Sequence, residues 1–480
     1  MPKILDKSIS SDIQGIILYG YGHMSAASYL MLHMKDNRRA DVKKWLGLVA
    51  DQLTHAGGKN EGTSMNLSLT KEGLEAIGMP DSVMTTFPRP FQEGMKMEHK
   101  SQGFGDIGEN APEHWEWGNE DKAHEIHILL MLYAENDQML EKYEQEQIEK
   151  LDSYGLQVMH HFDTESFMHD ARKEHFGFTD GIGQPSIIGV KSKEDFPDNE
   201  IKLGEFVLGH NNEYDKLPDS PCVPSDMDKK NFLETLPNDL PNTRDLGNNG
   251  SFLVFRQLEQ DVKAFWEYIE GVVEDRKKAG EDENIVRVAS KMVGRWPNGS
   301  PMALYPDKSG EPTNIFTYGE KKGFGCPIGA HLHRANPRDT FTDEPEKSIK
   351  FVKKNRIARR GRGYGKPVDK NFNPETILET EVTDKRRGLH FLAFNSHLAR
   401  QFELVQKQWM CNPKFLGLYD EVDPVVGHHV DFEGVKFNEF TEPSFPVRKK
   451  SKMMPRFITM KGGAYFFMPG VKAVKFLANA

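Results

Sequence analysis

The sequence predicts an α+β chain built from two similar halves, and three observations carry that prediction. A strongly apolar run at residues 126–133 is followed at once by a charged helical pattern at 135–151, as when a buried strand leads into a surface helix. The order strand, helix, long connection, strand, helix, strand occurs twice along the chain. Between the two occurrences, residues 198–249 are rich in Pro, Asp and Asn and read as a surface excursion. This order is a split β-α-β plan, an antiparallel sheet with helices on one face.

In the first half, residues 13–18 read as a strand, and 26–53 carry helical apolar spacing. A polar, Gly- and Pro-rich connection over 57–119 leads to the strand at 126–133, the helix at 135–151 and a short strand at 156–159. In the second half, 252–255 is strand-like and 258–275 helix-like. A long insertion then precedes a strand at 389–394, an amphipathic helix at 398–409 and a strand at 465–468. The charged run EDRKKAGEDEN at 274–284 reads as a solvated helix end.

The composition bounds the function. A chain of 480 residues exceeds the roughly 250–300 at which single cores stop growing, so two domains, or one elaborated domain, are expected. With 30 Phe and 21 Met it has ample core material, which rules out a wholly disordered chain. No apolar run approaches the roughly 18 residues of a membrane helix. The N-terminal stretch lacks the apolar segment and cleavage site of a secretory signal, and Arg38-Arg39 is followed by Ala-Asp-Val-Lys-Lys, which is no export signal. Cys222, Cys326 and Cys411 have no paired spacing, against both a disulfide framework and a zinc cage. The expectation is a cytoplasmic protein, with its net charge of −10 arguing against a nucleic-acid partner.

Three segments hold candidate chemistry. HFGFTDGIGQPS (175–186) reads either as an Asp-Gly turn or as a loop whose glycines, Gly177 and Gly181, let backbone approach a large flat ligand while Asp180 points at it. In GCPIGAHLHRANPRD (325–339), His331 and His333 would share one face of a strand and diverge on a helix. Two histidines without further ligands make a poor zinc site, but a single imidazole can hold a haem iron. Arg334 and Arg338 suit haem propionates, since arginine binds carboxylate bidentately. VKKNRIARRGRGYGKP (352–367) reads as a solvated basic face, as an RNA-binding stretch, or as the source of an arginine that stabilises negative charge within a site. One aromatic, Tyr364, and an acidic chain weigh against RNA.

Together these segments resemble the dye-decolourising peroxidases, specifically the longer bacterial members without signal peptides. The resemblance extends over IQGIILYGYGHM, GFTDG, GSFLVFRQLEQDV, KMVGRWPNGSP, CPIGAHLHRANPRD, RRGRGYG and RGLHFLAFNSHLARQFELVQKQW, in that order. It implies two ferredoxin-like domains, 1–190 contributing the GFTDG loop and 191–480 holding most of the cofactor, haem b (heme b, iron protoporphyrin IX). It implies that His331 is the proximal iron ligand, Asp180 the distal acid and Arg359 the distal arginine, with Arg360 as the competing choice. Leu389 and Phe391 match the apolar wall over the peroxide site. His175 and Arg338 match contacts to the haem edge or propionates. Glu403 is the expected carboxylate partner of His331, with Asp423 as the fallback.

The activity so implied is reduction of hydrogen peroxide through a ferryl haem, followed by one-electron oxidation of dyes or phenolic donors. The alternative is a haem-binding or haem-handling protein without peroxidase turnover, because a haem site alone does not prove turnover. A distal acid together with a distal arginine favours the peroxidase, since carriage needs neither. Many members associate, which implies a homo-oligomer without any segment here specifying its interface. Tyr364 and Trp409 lie in haem-associated motifs, where packing is the expected role of both.

Overall fold

The apolar runs become strands of one nine-stranded sheet. A computed structural model of the chain describes residues 5–58, 62–119, 121–122, 124–190, 196–236, 242–384, 386–429, 431–432, 435–436 and 438–480. The first half contributes β1 (Ala26–Met34), α1 (Arg39–Ala50), β2 (Thr63–Leu69), β3 (Ile128–Ala134), α2 (Asp137–Leu151) and β4 (Leu156–Asp163). The second contributes β5 (Ser251–Gln260), α3 (Val262–Lys278), β6 (Ala358–Arg359), β7 (Arg362–Tyr364), β8 (Gly388–Asn395) and β9 (Ile458–Met468).

Within each half the strands lie in the same antiparallel order, β4-β1-β3-β2 and β9-β5-β8-β6, with β7 extending the pairing along β8. That is the ferredoxin-like arrangement twice over. The halves meet edge to edge, where β2 pairs with β9 through Leu69 and Phe467. Joining the two sheets covers one edge of each, which would otherwise present unpaired backbone groups. The expected division at 190/191 abuts residues 191–195, which lie outside the described residues.

Three expectations need correction. Residues 26–34 form a strand, whereas the expected strand at 13–18 gives the helical turn Gly15–Leu18. AASYLMLHM is buried along nearly its whole length, so it lacks the alternation that separates a strand from a helix by periodicity. The break to α1 comes at Asn37, whose φ of +60° only a few residue types accept readily. The excursion at 198–249 is not purely superficial, since Leu208, Val223 and Leu246 are buried in the main core. The end of α3 is not simply solvated, because Arg276 turns inward to bond Glu283 and Glu442. Lys291 meets the same two carboxylates at 2.8 and 2.7 Å. Burial would raise the Glu283 carboxyl, but Lys291 and Arg276 outweigh it and hold it at about 2.

The β5–β8 pairing carries the site residues of both strands and depends on a glycine. A Cβ on Gly388 would lie 1.9 Å from the Leu258 carbonyl oxygen, a rigid backbone atom of the neighbouring strand. Gly388→Ala is therefore expected to force the strands apart and cost about 1–3 kcal/mol. Thermal unfolding checks this, and an unchanged midpoint would show that the strand end yields freely.

Candidate active site

A cavity of about 260 Å³ opens where the β5–β8 face meets the Asp180 loop and the short helix His331–Ala335, here α4. Its apolar wall comes from strand residues of one face, Leu258 on β5 with Leu389 and Phe391 on β8, together with Leu332 and Ile357. Leu389 pairs with Leu258 directly across the ladder, which sets both side chains on the cavity side.

His331 is the only histidine in the cavity wall among the described residues. It opens α4, and its Nδ1 lies 3.1 and 3.0 Å from the two carboxylate oxygens of Asp423. Asp423 is fully buried and also accepts the Val425 and Val426 N–H groups at 2.9 and 2.8 Å. Burial alone would lower the His331 proton affinity, but the charge and hydrogen bond of Asp423 outweigh it and hold it above the ordinary value. The same contact, with the Val426 N–H and Arg334, holds the Asp423 carboxyl below its usual range despite burial. With Nδ1 engaged, Nε2 is the nitrogen left for a ligand.

The expected partner Glu403 is elsewhere. At the end of the π-helical turn Ala399–Glu403 it bonds Lys100 at 3.0 Å and the Tyr465 hydroxyl of β9 at 3.0 Å. His333 does not share a face with His331 either, since α4 is helical. It is buried, stacked on Tyr318 at 3.8 Å and bonded to the Thr340 hydroxyl.

Asp180 and Arg359 form an ion pair in the wall. Arg359 Nη1 lies 3.5 Å from Asp180 Oδ1, and both side chains are about one-third exposed, at 32% and 39%. Both act electrostatically on His331, Asp180 raising and Arg359 lowering its proton affinity. Arg360 points the other way, donating to the carbonyls of Ile16, Ile17 and Leu18 at 3.0 Å each. Successive strand residues alternate faces, so only one of the pair can reach the cavity. It is Arg359.

At the start of the Asp180 loop the cavity is met by every second residue, and from Phe178 to Gly183 by all of them. Glu174, Phe176 and Phe178 line the cavity, whereas His175 and Gly177 turn from it. His175 is not a cavity contact as expected. Its Nε2 bonds the Tyr364 carbonyl at 2.8 Å, and burial first of all pushes its pKa down to about 4. Gly177 faces Phe372 instead, while Gly181 lies in the wall with open space where a Cβ would stand.

Arg338 reaches the wall, bonded to Asn314 and to the Phe316 carbonyl. Arg334 does not. It is fully buried and donates to the carbonyls of Gly329, Trp409, Asn412 and Glu421, tying α4 to the segment that carries Asp423.

Sequence reasoning missed three further arginines of the cavity wall. Arg256 pairs bidentately with Asp106 at 2.9 and 2.5 Å. Arg295 and Arg356 bond only neutral oxygens in the contacts they make, of Gly299, Thr313 and Asn314 and of Gly183 and Asn199. Burial, then repulsion from Arg338 and Arg359, pushes their pKa values down to about 10 and about 9. Among the described residues neither has a carboxylate partner, and guanidiniums so placed are suited to an anionic ligand. Arg295 lies within KMVGRWPNGSP, so that motif was the available signal.

The donor set fits haem b: one imidazole with a free Nε2, flat apolar walls and an arginine-rich rim for propionates. No protein-family model matches the chain. It is 32% identical over 318 residues to the multifunctional dye peroxidase DyP2 of an Amycolatopsis species, a match covering 63% of this chain and 61% of that protein. It is 25% identical over 493 residues to the dye-decolorizing peroxidase msp1 of Mycetinis scorodonius, covering 97% of this chain and 86% of that one. The crystal structure of a DyP-type peroxidase from Anabaena sp. superposes with a TM-score of 0.76 at 25% identity, covering 98% of this chain and 95% of that one.

Over nearly its whole length the chain is similar, in sequence and in fold, to dye-decolourising peroxidases. The imidazole and the Asp180–Arg359 pair come from segments of both halves of the chain that meet at one cavity. No helix among the described residues is long and apolar enough to cross a membrane.

Proposed function

We propose that the protein is a haem b peroxidase that reduces hydrogen peroxide and oxidises dyes or phenolic donors in one-electron steps. The observation that carries this is the pairing, in one cavity, of a carboxylate-backed imidazole with an acid and an arginine. Haem, when bound, supplies the redox centre at which peroxide is reduced to water.

His331 would hold the iron of a bound haem through Nε2, with Asp423 fixing its tautomer and making it a stronger donor. Asp180 would take a proton from hydrogen peroxide and hand it to the oxygen that leaves as water. Arg359 stabilises the negative charge that builds as the O–O bond breaks. Leu389 and Phe391 keep bulk water and large donors from the peroxide. Arg338, with Arg295 and Arg356, would hold the propionates of a bound haem. Gly181 gives the cofactor close approach to backbone. Residues 1–190 and 191–480 form the two domains of a cytoplasmic enzyme with no nucleic-acid or membrane partner.

The test is the absorption spectrum of protein expressed with a haem supply, before and after one equivalent of peroxide. A Soret band that shifts within the mixing time and returns on adding a reducing dye is expected. A Soret band indifferent to peroxide would reduce the protein to a haem carrier. No Soret band after reconstitution would remove the haem reading itself.

A further inference from the structure

We propose that Glu174 is the positioning residue for Asp180, its carboxylate gathering the backbone of the loop that carries that acid. The proposal rests on the role given to Asp180 above. Glu174 binds the turn five residues deep from both ends. Its own N–H donates to the Phe178 carbonyl at 3.0 Å, and its carbonyl accepts the Gly177 N–H at 2.9 Å. Its side chain then folds back over the same turn, Oε2 accepting the Phe176 N–H and Oε1 the Phe178 N–H, each at 2.9 Å. Such a curl of N–H groups around one anion needs a residue at positive φ, which Gly177 supplies at +99°.

The clamp is also anchored to the sheet. Gln260, the last residue of β5, donates Nε2–H to Glu174 Oε2 at 2.7 Å. Beyond the clamp, Thr179 donates its N–H and hydroxyl to the Pro297 carbonyl at 3.2 and 2.8 Å, and the Asp180 N–H bonds the Arg172 carbonyl at 3.0 Å. The backbone of Asp180 is thereby placed on both sides, and its carboxylate is left to meet the Gly181 N–H at 2.6 Å and Arg359.

Glu174 makes no ion pair among the described residues; the cation beside it, Lys173, is spent on the carbonyls of Gly177 and Pro297. Burial raises the Glu174 proton affinity, its three hydrogen bonds oppose that, and the charge of Asp180 adds to it. A charge kept in the cavity wall and satisfied only by neutral donors of one loop and one strand end has a positioning task as its structural consequence.

The experiment uses the full chain and two readouts. Glu174→Gln keeps the size but sets an amide NH2 against one of the three donors. Hydrogen exchange at the Phe176 and Phe178 amides of the haem-free protein is expected to accelerate roughly tenfold or more. In haem-loaded protein, Glu174→Gln should slow the peroxide reaction with haem content unchanged. The double variant Glu174→Gln, Asp180→Asn should be no slower than Asp180→Asn alone, because a positioning residue acts through the group it places. Gln260→Leu, which removes one donor, should give a smaller effect of the same kind and serves if Glu174→Gln does not accumulate folded.

Wild-type amide exchange in both variants, or full multiplication of the two rate effects in the double variant, overturns the proposal. An Asp180→Asn protein that reacts at the wild-type rate overturns the role of Asp180 instead. The exchange measurement then still decides whether Glu174 holds the loop.

Discussion

Arg359→Leu is expected to slow the reaction of the haem-loaded protein with peroxide by about 10²–10³-fold, the cost of one well-placed donor to developing charge, while the Soret band of the resting protein persists. Arg359 is the pair member whose guanidinium faces the cavity, loosely set at 3.5 Å from Asp180 and one-third exposed to the space a substrate would enter. Its backbone N–H is fixed by the Gln184 side chain at 3.0 Å, so substitution of the side chain leaves strand β6 in place. Stopped-flow measurement of the Soret change gives the rate. Arg360→Leu is the control with the opposite signature. Arg360 ties β6 to the carbonyls of the Gly15–Leu18 turn, so its loss lowers thermal stability rather than the peroxide rate. Wild-type peroxide reactivity in Arg359→Leu would remove the arginine from the mechanism.

His331→Ala is expected to abolish haem retention, because no other imidazole lines the cavity among the described residues. Asp423→Asn tests the support behind it and is milder. Loss of such a supporting carboxylate typically weakens the bound metal group about 10–100-fold. The Asn side chain retains an oxygen for the Val425 and Val426 N–H groups, so the segment stays folded while the charge that holds His331 is lost. Haem titration followed at the Soret band separates the three proteins. Glu403→Gln should bind haem like the wild type, since Glu403 answers Lys100 and Tyr465 instead. A Glu403→Gln protein that lost haem as readily as Asp423→Asn would reverse the assignment made from the geometry.

Much of the site was legible in the chain. The GFTDG loop, the segment around His331, RRGRGYG and the β8 motif lie in order. Asp180, His331, Arg359, Leu389 and Phe391 all reach the same cavity. The fold was legible too, because the element order of a split β-α-β unit survives long insertions, and insertions add loops without reordering strands. The misreading of residues 26–34 has a local cause: a strand buried on both faces carries no alternation to read.

What the sequence by itself determined is therefore the inventory and its order: two like halves, one imidazole suited to iron, an acid in a glycine-bounded loop, and an arginine pair. The tertiary structure alone decided between neighbours. Arg359 rather than Arg360 faces the cavity because the phase of a two-residue strand is set by its partner β8, not by its own residues. Asp423 rather than Glu403 backs His331 because a contact spanning 92 residues depends on how the chain returns, and Glu403 bonds Lys100 and Tyr465 instead. His175 left the site and Glu174 entered it because the turn at 174–178 sends the His175 ring to the Tyr364 carbonyl and folds the Glu174 carboxylate back over its own backbone. Residue type and spacing are local properties, whereas the side a residue presents is settled by the sheet it joins.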